Sequence, residues 1–141
     1  MIPVLDVDLT EEYEEVAEPT HTYAMEDTDK RILGYVDDLE AMKQVVYKIL
    51  NTERYDHEIY SWEYGVELKD LFGMPVSYVL PELERVITEA LVTDDRIDSV
   101  DNFSFSVTKN TATALKNVVT ARFTVHTVFG DIENEELEVE I

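Results

Sequence analysis

Three histidines are the first residues to consider for metal or acid–base chemistry. His21, His57 and His126 are far apart in the chain, and none lies four residues from another His, the spacing with which a helix binds zinc. We interpret each as a surface or structural residue rather than a metal ligand. The chain contains no Cys, so thiolate metal sites, disulfides and cysteine nucleophiles are excluded.

Carboxylates are abundant, and the question is whether any two form a catalytic pair. Glycoside hydrolysis needs two carboxyl groups roughly 5 to 9 Å apart, one with its pKa raised by an apolar pocket. Glu58, Glu63 and Glu67 lie close to Trp62 and Tyr64, and are the acids set among aromatic residues. We favour solvated acids on an aromatic loop, because 32 acids produce many accidental pairs. The sequence therefore predicts no catalytic, cofactor-binding or metal-binding residue.

The charges are distributed unevenly along the chain. All 11 Lys and Arg residues lie between Lys30 and Arg122, whereas residues 1–29 hold ten carboxylates and residues 131–141 hold six. This distribution predicts a domain of ordinary charge with two acidic arms. Anionic arms favour basic protein partners and disfavour nucleic acid or a membrane surface. Without a signal peptide or an apolar span, we expect a soluble protein made in the cytoplasm.

The first half of the chain predicts a hairpin and a helix. β-prone residues at 22–25 and 31–36 flank a polar turn. Asp37 opens a helix that runs to about Asn51, with Glu40 three residues later as in a capping box. The helix has one apolar face at helical spacing, formed by Leu39, Met42, Val46 and Ile49.

Two further helices and three strands are predicted after it. A short helix at Val66–Phe72 ends at Gly73, and a long helix follows Pro75 to about Thr93, with Pro81 in its first turn. Period-two alternation then predicts strands at about 97–107, 119–129 and 132–141. The last strand has one apolar and one anionic face, since Leu137, Val139 and Ile141 alternate with Glu136, Glu138 and Glu140.

These elements predict an α+β fold. It is a mostly antiparallel sheet with two long helices and one short helix packed on one side, and with acidic N- and C-terminal arms. We expect a flexible acidic arm at 1–21, a single α+β domain at 22–130 and an acidic C-terminal strand at 131–141.

Three motifs carry a resemblance to a known family: "YKILNTERY", "YSWEYG" and "DDRI". With the residues around them, from about Thr22 to Phe129, they resemble the baseplate wedge proteins of contractile phage tails, the sheath-initiator family. Within it they most resemble the XkdS-type proteins of defective Bacillus prophages. In that family a Glu-Pro-Arg triplet commonly follows the last long helix. The equivalent three residues of this chain are Asp94-Asp95-Arg96, which keep the acid and the Arg but not the Pro.

The resemblance implies a structural role without catalysis. It implies a baseplate wedge subunit of a contractile phage tail or tail-like particle, in six copies, on which the tail sheath protein assembles. Asp94 and Arg96 would help to join it to other baseplate wedge proteins. The protein would be in the cytoplasm of the bacterial host during assembly and then in the baseplate. Some relatives carry a lysozyme label, so a peptidoglycan-degrading tail lysozyme is one alternative, and an acidic regulatory protein-binding module is another.

The last strand suggests how a partner would bind. An exposed strand edge accepts a strand from another chain, and charge on that edge prevents self-aggregation. A strand with Glu at every second position would repel its own copies and accept a less acidic or basic strand. The same residues could instead complete this protein's own sheet, and the two roles are compatible. The predicted protein-interaction residues are thus Asp94 and Arg96, together with Leu137, Glu138, Val139, Glu140 and Ile141.

Overall fold

The computed structural model describes residues 19–26, 30–109 and 117–141. Within these ranges the chain forms two α-helices and five strands: β1 Thr22–Glu26, β2 Arg31–Val36, α1 Asp38–Leu50, α2 Val76–Val92, β3 Ile97–Lys109, β4 Asn117–Thr127 and β5 Gly130–Glu140. The strands make two antiparallel sheets, the hairpin β1–β2 and the sheet β3-β4-β5. Most of the predicted N-terminal arm lies outside the described residues.

The prediction of three helices on one mostly antiparallel sheet is wrong. The segment predicted as a short helix at Val66–Phe72 contains a single 3₁₀ turn, Lys69–Leu71. So few residues before Gly73 cannot offset the cost of nucleating an α-helix. The hairpin also forms its own sheet, so strand outweighs helix in the α+β fold. The acidic C-terminus is not an arm, because β5 is paired with β4 along its length.

Both helices pack on one face of the three-stranded sheet. Alternate residues of β4 and β5 point into this layer, where they meet the buried faces of α1 and α2. Removing one such aliphatic side chain from water stabilises the fold by about 1.5–3 kcal/mol. The most deeply buried side chains include Phe123, Met42, Leu83, Ile87 and Leu91.

Helix α2 begins five residues before Pro81, so Pro81 lies inside the helix and not in its first turn as predicted. Pro75 stands at the N-cap in an extended conformation. The Pro81 ring has no N–H to donate to the carbonyl of Ser77, so the helix lacks one backbone hydrogen bond there. The apolar face around Leu83 and Ile87 is fully buried and holds the helix in place.

The Gln44 side chain of α1 bonds to the first strand of the hairpin. The Gln44 side-chain amide donates to the Tyr23 carbonyl and accepts from the Met25 N–H, both at 2.8 Å. Gln44 thus pairs with β1 as a neighbouring strand would. None of the helices in the described ranges is long and apolar enough to cross a membrane.

Candidate interface at the last strand

Strand β5 is at the edge of its sheet, and its ladder to β4 determines where its backbone groups point. The N–H of Ile141 donates to the Asn117 carbonyl at 2.9 Å, and the N–H of Asn117 donates to the Ile141 carbonyl at 3.1 Å. In an antiparallel ladder such pairs alternate with pairs whose backbone groups point outward. The register is unbroken from here to Phe123 and Glu135. The N–H and C=O groups that point away from β4 therefore include those of Glu136 and Glu138.

A groove of about 680 Å³ runs beside the second half of β5. One wall is residues 138–141 with Asn117 of β4, and the other is formed by Leu68, directly before the 3₁₀ turn, and by Phe72 and Met74, between this turn and α2. The Phe72 side chain is 54% exposed and that of Met74 is 40% exposed. This edge groove places apolar surface beside backbone hydrogen-bonding groups, the two features with which sheet edges bind an extended chain.

Glu53 holds the far wall of the edge groove in position. Its carboxylate accepts the backbone N–H groups of Leu68 and Lys69, with N···O distances of 3.0 to 3.2 Å. The Lys69 ammonium in turn contacts both oxygens of Asp56 at 2.8 and 2.6 Å, and this hydrogen bonding raises the pKa of Lys69. These contacts hold the start of the far wall, at Leu68 and Lys69, in place within the fold.

The five predicted residues of the last strand divide between core and surface. Leu137 and Val139 are buried in the core cluster, and Ile141 is partly buried against it. Glu138 and Glu140 are exposed and line the edge groove. A partner could therefore contact the side chains of the two glutamates and the exposed part of Ile141.

Asp94 and Arg96 lie in the turn between α2 and β3. The Arg96 Nε and Nη2 atoms donate to the two Asp94 carboxylate oxygens at 2.9 and 2.7 Å, and Nη1 donates to the Pro19 carbonyl at 3.3 Å. Burial of the Asp94 carboxyl opposes its ionisation, but the hydrogen bonds from Arg96 outweigh this and lower the pKa of Asp94. The turn thus ties the start of the described chain to the sheet.

The structure does not bring this turn together with the edge groove. The start of β3 pairs with the end of β4 at Thr127, whereas the end of β5 pairs with the start of β4 at Asn117. The two places lie at opposite ends of β4, and an extended strand of this length spans roughly 33 Å. They are two separate candidate contacts.

The far wall of the edge groove is not among the features predicted from the sequence. Phe72 and Met74 flank Gly73, directly before Pro75. Gly and Pro at such spacing mark a turn, where polar residues are usual. Two large apolar residues at a turn are therefore unusual, and this is the feature of the sequence that could have indicated a binding surface here.

The three acids set among aromatic residues, Glu58, Glu63 and Glu67, differ in their surroundings. Glu67 lies 3.7 Å from Arg54, while Glu58 and Glu63 are exposed. Among the described residues no group of His, Asp and Glu could hold a metal ion. His126 instead bridges Asp101 and Asp131 at 2.8 Å to each.

Comparison with known proteins relates the chain to contractile systems. The family model described as contractile injection system sheath initiator matches residues 17–130. The "Phage-like element PBSX protein XkdS" of Bacillus subtilis (strain 168) is 38% identical over 107 residues, which is 73% of this chain and 76% of that protein. The family is structural and is not a class of enzymes. This chain belongs to the sheath-initiator family of contractile injection systems.

Proposed function

We propose that this chain is a baseplate wedge subunit on which the tail sheath protein begins to assemble, by adding a strand to the open edge of β5. One observation carries the proposal. The backbone N–H and C=O groups of Glu138 point away from β4, and Glu138 lines the edge groove together with the exposed residues Phe72 and Met74. Each backbone hydrogen bond to an added strand contributes about 1 kcal/mol net.

The groove also indicates what the added strand should look like. On the helix side of β5 it would meet apolar side chains, Phe72 and Met74. On the outer face it would meet the row that contains Glu138 and Glu140. Because successive side chains of a strand point to opposite faces, the matching strand alternates apolar with basic residues. The acidic row meanwhile prevents pairing of two β5 edges.

The remaining features of the proposed function are supported by the family resemblance alone. We propose six copies per baseplate, with other wedge proteins as neighbours, assembled in the bacterial cytoplasm. Asp94 and Arg96 would act in this assembly by positioning, since Arg96 is paired with Asp94 and also donates to the Pro19 carbonyl, which holds Pro19 against the domain. We propose no catalytic step.

The proposal is tested by a proline at position 138. Glu138→Pro removes an outward N–H but leaves the bonds between β4 and β5, so the domain should still fold. Val107→Pro is the matched control. The backbone groups of Val119 in β4 point to β5 and not to β3. Val107 lies opposite Val119 on β3, so the N–H of Val107 points away from β4, at the other edge of the sheet.

Electron microscopy of tails assembled with each variant gives the answer. We expect Glu138→Pro to give baseplates that contain the protein but carry no sheath, and Val107→Pro to give normal sheathed tails. Normal sheaths with Glu138→Pro would contradict the proposal. Loss of sheath with Val107→Pro alone would show that β3 is the template.

A further inference from the structure

Residues 53–66, between α1 and the 3₁₀ turn, form a closed loop, which we call the aromatic loop. Its ends are joined by backbone hydrogen bonds. The N–H of Val66 donates to the Thr52 carbonyl at 2.9 Å, and the N–H of Arg54 donates to the Val66 carbonyl at 3.1 Å. Loops closed in this way are compact surface units and frequently functional.

The aromatic loop displays large apolar side chains to solvent. Ile59 is 87% exposed, Trp62 is 70% exposed and Tyr55 is 66% exposed. Single exposed apolar residues are ordinary, but several within one short loop mark a binding surface. Trp and Tyr are also the residues that most often dominate the energy of protein interfaces.

Internal contacts hold the loop in shape. The Arg54 side chain is 10% exposed and lies 3.7 Å from both Glu67 and Glu89, which ties the loop to α2. Tyr60 stacks on Tyr64 with ring centroids 4.5 Å apart. At Gly65 a Cβ atom would lie 2.6 Å from the Thr52 carbonyl oxygen, so the two ends approach as closely as only glycine permits. A loop already ordered loses little conformational entropy when it binds.

A small acidic pocket adjoins the loop and indicates the charge of its partner. The pocket has a volume of about 270 Å³ and lies between Tyr64 and the end of α2. Glu63, Asp94 and Asp95 line it, and no Lys or Arg is among its lining residues in the described chain. Asp94 is already paired with Arg96, which leaves the carboxylates of Glu63 and Asp95 to face an incoming group. Such a pocket favours a cation.

We propose that the aromatic loop is a second docking surface, which binds a basic segment of a neighbouring baseplate protein. Trp62 and Ile59 are its apolar anchors, and an Arg or Lys of the segment enters the pocket between Glu63 and Asp95. This surface would act when the subunit enters the baseplate, before any sheath protein is present. The proposal does not depend on strand addition at β5.

The test compares two exposed aromatic residues in the full chain. Trp62→Ser should leave the melting temperature unchanged but lower incorporation into assembled baseplates at least tenfold. Tyr47→Ser, which removes an exposed ring from α1, is the control and should be incorporated normally. Glu63→Lys with Asp95→Lys should reduce incorporation as Trp62→Ser does, because the charge of the pocket is reversed.

A photo-crosslinker identifies the chemistry of the partner. With benzoylphenylalanine at position 62, the crosslinked peptide from assembled tails should contain Arg or Lys next to apolar residues. Normal incorporation of Trp62→Ser, or crosslinking to an acidic segment, would overturn the proposal. So would co-sedimentation with purified peptidoglycan that Trp62→Ser abolishes, since this would assign the loop to a sugar polymer. Loss of binding at the aromatic loop would reduce incorporation of the subunit into the baseplate. Loss of strand addition at β5 would leave incorporation normal and prevent only the assembly of the sheath.

Discussion

Arg96 and Asp94 form an ion pair that is largely withdrawn from solvent. Their side chains are 13% and 17% exposed. Exposed ion pairs contribute at most about 1 kcal/mol, because solvent screens them. Removing one partner of a buried pair costs more, because the remaining charge is left without its hydrogen bonds. The small cost expected of a surface pair does not apply to this one.

We predict that Arg96→Ala lowers the free energy of unfolding by about 1–3 kcal/mol, since it leaves the Asp94 carboxylate partly buried without its guanidinium. Arg85→Ala is the control. Arg85 is 57% exposed and pairs with Glu82 and Glu89 on the surface of α2, so its loss should cost less than about 1 kcal/mol. Urea denaturation of both variants measures the difference. Equal costs would show that the Asp94–Arg96 pair is no more than a surface feature.

His126 predicts a pH dependence. Its ring nitrogens contact Asp131 and Asp101, and hydrogen bonds donated by the ring to these two carboxylates raise the pKa of His126. A raised pKa in the folded state stabilises the fold below the unfolded pKa of about 6.5, and this contribution is lost as pH rises through the folded pKa. The melting-temperature advantage of the wild type over His126→Gln should therefore be largest near pH 5.5 and shrink toward pH 8.5. An advantage that grows with pH would contradict the assignment.

At the scale of the elements, β5 combines a face that packs in the core with an open backbone edge. Leu137 and Val139 complete the core, while the backbone of Glu136 and Glu138 faces the open edge. The two alternatives for this strand, completing its own sheet and accepting a partner strand, are thus compatible in one element. Only the first is a feature of the isolated fold, and the second is what the proline test addresses.

We predict that deleting residues 135–141 unfolds the domain. The deletion removes Leu137 and Val139 from the core, and truncation of one such residue to Ala costs about 2–5 kcal/mol. The total free energy of unfolding of a small domain is only about 5–15 kcal/mol. Circular dichroism and urea denaturation should show loss of the cooperative transition, whereas Glu138→Ala should retain it. A cooperatively folded truncation would mean that β5 is dispensable for the core.

The elements that could be predicted from the sequence are those with a long apolar periodicity. Helix α1 and strands β4 and β5 each bury one face, and β3 partly buries Phe103 and Phe105. That burial imposes the pattern in which their apolar residues recur. The segment at 66–72 is too short for such a pattern, and its 3₁₀ turn is set by Glu53, which binds it from another part of the chain. The position of Pro81 depends on where α2 begins, a boundary that periodicity does not define.

The candidate site was predictable in part for a similar reason. The alternation of Glu136, Glu138 and Glu140 with apolar residues is local, so the anionic face of β5 can be read directly from the sequence. The far wall of the edge groove is formed by Phe72 and Met74, which meet β5 only through tertiary packing. No local pattern specifies which turn of the chain will lie beside which strand.

For the whole molecule, the match to the family model ends where the acidic last strand begins. The family model matches residues 17–130, and β5 continues from Gly130 to Glu140. Residues 131–141 hold six carboxylates and no basic residue. The family relationship therefore establishes the contractile-system role, while the evidence for strand addition comes from the geometry of the edge groove alone.

The twist of the three-stranded sheet has a consequence for the symmetry of the particle. Neighbouring strands of a sheet are rotated by about 20 to 25° relative to one another, always in the same sense. A strand added at β5 would inherit that rotation from β4 and β5, both of which are fixed by the core. The subunit would then determine the angle at which the first sheath subunit leaves the baseplate, and so the starting pitch of the sheath helix.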